Sequence, residues 1–114
     1  DVLLESTAKL IANKEAYADP VKRREIEEIS TLLAGVLAAR QNVLLKLNVH
    51  QDRLEDVMAI LPAMKAPTVA ELFTPGYYAV ETVVVRAEVN TLIPELKRRG
   101  AEDILELPIL KIVK

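Results

Sequence analysis

The 114 residues contain no cysteine and no tryptophan, a single histidine, a single phenylalanine and only three glycines. Without cysteine there are no disulfides, thiolate metal ligands or cysteine nucleophiles, which fits a reducing compartment. One phenylalanine and three tyrosines are too few for a base-stacking platform. Fifteen Lys and Arg against seventeen Asp and Glu leave a net charge of −2, so neither nucleic acid nor an anionic membrane is expected as a partner. No apolar run approaches the roughly 20 residues of a spanning helix, and no basic-then-apolar leader opens the chain, so the expectation is a cytoplasmic protein. The glycines at 35, 76 and 100 are isolated, which rules out a glycine-rich phosphate loop.

What the chain does have is half its residues apolar, enough for a real core in one domain of this length. It opens at Asp1 at full hydrophobic strength, as a piece cut from something longer would. Val2–Ala12 fits a strand or a short amphipathic helix, and Ser6 and Thr7 at its centre favour a strand-like arm. Asp19-Pro20 reads as an N-cap followed by proline at the first helical position. A long helix is expected over Asp19–Arg40, with Ile26, Ile29, Leu32, Leu33, Val36 and Leu37 at inward spacing and Gly35 as a weak point.

Beyond it, Val43–Val49 reads as a strand and Asp52–Leu61 as a helix stopped at Pro62. Thr68–Phe73 and Tyr77–Val85 form a hairpin around Thr74-Pro75-Gly76. Tyr78, Val80, Thr82 and Val84 then share one face of its second strand, and Tyr77, Ala79, Glu81, Val83 and Val85 the other. Ala87–Arg99 reads as a helix kinked at Pro94 and closed by Gly100, and Asp103–Val113 as a last strand bent at Pro108. The order β-α-β-β-α-β from Val43 predicts an α+β, ferredoxin-like sheet of four antiparallel strands with both helices on one face. Leu45, Leu47, Val80 and Val84 are candidates to make the other face apolar, suited to a second copy or a small ligand.

No constellation of these residues encodes catalysis. His50 stands at a strand-to-helix turn without convergent ligands, and reads as a solvated turn residue. The carboxylates at Glu25, Glu27 and Glu28, and at Glu102, Asp103 and Glu106, sit where solvated faces are expected. Ser6-Thr7 has no nearby base. The residues alone therefore favour a binding or assembly module over an enzyme.

Four stretches, ESTAKLIAN from Glu5, LPAMKAPTV from Leu61, GYYAVETVV from Gly76 and GAEDILELPILKIV from Gly100, resemble in order and spacing the C-terminal portion of long-form ATP phosphoribosyltransferases, the family that opens histidine biosynthesis. The resemblance covers essentially the whole chain. It implies that 1–18 is the tail of a catalytic region, 19–41 a connecting helix and 42–114 a ferredoxin-like regulatory domain that binds L-histidine between subunits of a hexamer, for feedback inhibition. Carried over by position, the histidine site falls on Asn48, Met64, Thr68, Val83 and Asp103. ATP, phosphoribosyl pyrophosphate and the magnesium implied for the parent enzyme belong to catalytic domains whose phosphoribosyl loop has no counterpart here. No cofactor is expected in this piece, and it is expected to be inactive alone. The chain departs from the family pattern at Asp103, where some relatives carry a small apolar residue, and at Val85, where proline is common. The alternative is a non-catalytic homo-oligomerisation module without an effector.

Overall fold

Strict alternation along Asn42–His50 (β1) buries Val43, Leu45, Leu47 and Val49 and leaves the residues between them half-buried. That pattern is the signature of a strand with one face on a core. The computed structural model describes residues 18–114, so the expected strand-like arm over Val2–Ala12 lies outside the described residues. The chain forms two units, Gln41–Ile109 and one whose described part is 18–40 with Leu110–Lys114.

In the larger unit β1 is followed by a helix at Gln51–Met58 (α2), strands at Thr68–Glu71 (β2) and Tyr77–Val85 (β3), a 3-10 turn at Arg86–Glu88, a helix at Val89–Arg98 (α3) and a strand at Glu102–Pro108 (β4). The sheet order is β2-β3-β1-β4, antiparallel throughout, as the ferredoxin-like reading requires. Val80, Thr82 and Val84 of β3 face the same core as the buried residues of β1. Val57 from α2 and Val89 and Leu96 from α3 close it. Burying such side chains is worth about 1.5–3 kcal/mol each, and that drives the helices onto this one face. Leu45, Leu47, Val80 and Val84 therefore lie on the covered side and do not furnish an open apolar face.

Local chemistry sets the element ends. His50, the last residue of β1, caps α2 by accepting the Asp52 N–H on Nδ1 at 3.2 Å, consistent with its reading as a turn residue. The α2 helix ends at Met58, ahead of the predicted Leu61, and an irregular connection runs to Thr68. Gly76 takes φ +83° in the hairpin turn, and β2 stops at Glu71. Pro94 lies inside α3 without ending it. At its C-terminus the Ala101 N–H donates to the Leu96 carbonyl (3.0 Å) and the Gly100 N–H to that of Lys97 (3.1 Å), a Schellman closure with Gly100 at φ +106°. β4 ends at Pro108 and does not continue to Val113, since proline has no N–H for the ladder.

In the smaller unit Pro20–Arg40 (α1) starts as predicted. Asp19 Oδ1 accepts the N–H groups of Val21 (2.9 Å) and Lys22 (3.4 Å), and the Asp19 carbonyl accepts that of Arg23. Ile26, Gly35 and Ala39 are its buried residues, while Ile29 and Leu32, expected inward, are half exposed. Apolar residues are spread round the helix, so periodicity did not single out one face. Gly35 has a packing reason: the Ile112 N–H donates to its carbonyl at 3.0 Å, and a Cβ there would lie 3.1 Å from the Ile112 carbonyl oxygen.

Candidate functional site

The sheet face opposite the helices of the larger unit is built from the alternate residues of β1 and β3. Their register sets three rungs: Leu44 opposite Val83, Lys46 opposite Glu81, and Asn48 opposite Ala79. Because directly paired residues share a face, Thr68 of β2, opposite Glu81, extends the middle rung at one edge. Leu105 of β4, opposite Lys46, extends it at the other, and Leu107 joins the Leu44 rung. The face is thus apolar at the Val83 end, charged in the middle and polar at the Asn48 end. Lys46 Nζ and Glu81 Oε1 are 3.2 Å apart and neutralise each other, both partly exposed.

Of the five residues carried over from the family, Asn48, Thr68 and Val83 lie on this face. Asp103 lies on its β4 border, joined to Asn48 by a hydrogen bond from Nδ2 to Oδ2 at 3.1 Å. Between Lys46 and Asn48 the ladder shifts register, with β4 carrying one residue more than β1. Asp103 sits in that bulge at φ +50°. Met64 lies in the α2–β2 connection, 57% exposed. Val83 is four residues along β3 from the residue opposite Asn48, which at the strand rise of about 3.3 Å separates the two ends by roughly 13 Å. One copy therefore presents these groups as a spread surface and not as a closed pocket.

Chemically this surface offers an amide, a hydroxyl and a carboxylate flanked by aliphatic side chains, a set suited to a small zwitterion with an apolar or aromatic part. Two features had no local signal. The Lys46–Glu81 pair depends on a pairing between β1 and β3 that no short motif reveals. Thr82, on the covered side and 5% exposed, donates from Oγ1 to the Pro62 carbonyl at 2.6 Å and so fastens the connection that carries Met64. Among the described residues no three His, Asp or Glu side chains gather as a candidate metal site. Likewise among the described residues, no helix is long and apolar enough to cross a membrane. A groove of about 450 Å³ lies on the helix side, lined by Ile60, Pro62, Ala87, Glu88, Thr91, Leu92 and Glu95, none of them among the five.

Comparison with known proteins agrees with this architecture. Residues 39–111 match the family described as HisG, C-terminal domain. The chain is 50% identical over 111 residues to an ATP phosphoribosyltransferase of Pelotomaculum thermopropionicum, covering 97% of this chain and 38% of that protein. It is 48% identical over 112 residues to one from Desulforudis audaxviator, covering 98% and 39%. With ATP phosphoribosyltransferase 1 of Geobacter sulfurreducens the identity is 47% over 111 residues, covering 97% and 38%. The chain thus spans under two-fifths of the length of these curated relatives.

Proposed function

The chain belongs to the HisG C-terminal domain family, and from that membership we propose that it is the regulatory portion of an ATP phosphoribosyltransferase of histidine biosynthesis, binding free L-histidine on the open face of its sheet. The observation that carries this reading is the placement of Asn48, Thr68 and Val83 on the face left bare by the helices of their unit, with Asp103 hydrogen-bonded at its border. Asp103 and the Asn48 amide oxygen receive the ligand's α-ammonium, and the Thr68 hydroxyl pairs with a ring nitrogen. Val83 and Met64 cover the apolar part. Since these groups spread over roughly 13 Å, a second copy completes the enclosure, and occupancy is tied to homo-oligomer assembly, a hexamer by the family resemblance. Histidine inhibits by binding one arrangement of the assembly more tightly than another, since an effector with equal affinities shifts nothing.

ATP and phosphoribosyl pyrophosphate are assigned to the part of the relatives that this chain does not span, together with any magnesium that accompanies them. The 114 residues alone do not catalyse phosphoribosyl transfer. Calorimetric titration with L-histidine tests the reading. Saturable heat in the micromolar-to-millimolar range, lost in Thr68→Ala, supports it; no heat at millimolar histidine overturns it and leaves an assembly module.

A further inference from the structure

In the arrangement proposed above, the ligand's α-ammonium and imidazole have partners and its α-carboxylate has none. That carboxylate is bonded to the same carbon as the ammonium, so its partner must stand next to the Asn48–Asp103 pair. The polar end itself repels it, because Glu102 lies opposite Asn48 and Asp103 fills the bulge. A cation is needed close by. The four strands contain a single Lys or Arg, which is Lys46.

Lys46 occupies the rung adjoining that of Asn48, two residues back along β1 and on the same face. Two residues of strand advance roughly 6.6 Å, a gap that a lysine stem of four methylenes spans. Its head group is not used up by Glu81. The Nζ–Oε1 contact at 3.2 Å occupies one of three N–H donors, and the Lys46 side chain remains 43% exposed. An ion pair this open adds little to folding, but it holds the ammonium over the middle of the face. Thr68 stands opposite Glu81 from β2, so the same rung ends at the hydroxyl assigned to the ring. The competing cation is Lys65, next to Met64; it lies in the irregular connection and on no rung.

We propose that Lys46 determines specificity on this face by donating to the ligand's α-carboxylate, so that free α-amino acids are taken and amines or amino alcohols with the same side chain are rejected. The Nζ keeps its contact with Glu81 while a second N–H turns to the ligand. The inference rests on the histidine reading above and adds to it a residue outside the five.

L-Histidinol is the probe, because it keeps the ammonium and the imidazole and carries a hydroxymethyl group in place of the carboxylate. The parent, Lys46→Met, Lys46→Arg and Lys65→Met are each titrated calorimetrically with L-histidine and with L-histidinol. The parent should prefer histidine by about tenfold or more, the size expected of one charge-assisted hydrogen bond. Lys46→Met, with an unchanged melting temperature, should lose that preference by binding histidine more weakly while its affinity for histidinol stays as in the parent. Lys46→Arg should restore the preference, and Lys65→Met should leave it intact. A parent that binds both ligands equally, a Lys46→Met variant that discriminates as the parent does or weakens both ligands alike, or a preference abolished by Lys65→Met overturns the assignment. The two ideas fail differently. Any of these results with histidine heat intact in the parent sinks the role of Lys46 alone, whereas a parent without histidine heat sinks the effector reading and the Lys46 contact with it.

Discussion

Asn48 on β1 donates through Nδ2 to Asp103 Oδ2 on β4 at 3.1 Å, at the point where β4 carries its extra residue and Asp103 takes φ +50°. Left-handed backbone costs a non-glycine residue about 1–2 kcal/mol, less for aspartate when its side chain finds a local partner. Here the partner lies across the sheet, so the bulge and the polar end of the open face are one feature. Asp103→Ala keeps the strain and loses the bond, worth about 1 kcal/mol; Asp103→Gly loses the bond but relieves the strain. Urea unfolding should place Asp103→Gly near the parent and Asp103→Ala about 1 kcal/mol below it. Histidine titration should penalise both alike, because both lack the carboxylate. Equal stabilities of the two variants would show that the left-handed conformation is not strained.

Thr82 offers a second separation. Its hydroxyl is buried on the covered side of the sheet and donates to the Pro62 carbonyl at 2.6 Å. Thr82→Val keeps the strand-favouring shape and removes only the donor, which should cost about 1 kcal/mol and speed amide exchange at residues 63–66. Thr82→Ser keeps the bond and sheds a methyl group. Serine should lie nearer the parent in both readouts, and the opposite order would mean that methyl packing holds the connection.

Local signals in the chain made most of the fold legible. Asp19-Pro20 announced the start of α1, Thr74-Pro75-Gly76 the hairpin, and Gly100 the Schellman closure of α3, each through chemistry confined to a few residues. What escaped depended on distant partners. Both parities of β1 and β3 carry aliphatic residues, so Leu45 and Val84 had no local mark of the covered side. The bulge at Asp103 exists only because β4 pairs with a strand 55 positions earlier in the Asn48–Asp103 contact, and nothing near Asp103 encodes that register. Asn48, Thr68 and Val83 are site candidates through family resemblance alone, since an amide, a hydroxyl and a valine on strands are otherwise ordinary.

Glu95 ties the end of α3 together. Its Oε2 accepts from Arg98, its Oε1 accepts from Arg99 Nε at 3.2 Å, and Arg99 Nη1 donates to the Asp56 carbonyl of α2 at 3.0 Å. The hydrogen bond from Arg98, then that from Arg99, hold the Glu95 carboxyl below its ordinary 4.5. With the folded-state value below the unfolded one, the stabilisation is in place above the unfolded glutamate range. It disappears as pH falls through the lowered folded value. Glu95→Gln should therefore be less stable than the parent near neutrality and converge with it in acid, and because the group is solvent-exposed the gap should narrow in high salt. Parallel denaturation curves across that pH range provide the check. A gap that persisted unchanged into acid would assign the effect to side-chain packing and the Arg99 contact with α2 instead of to the charge on Glu95.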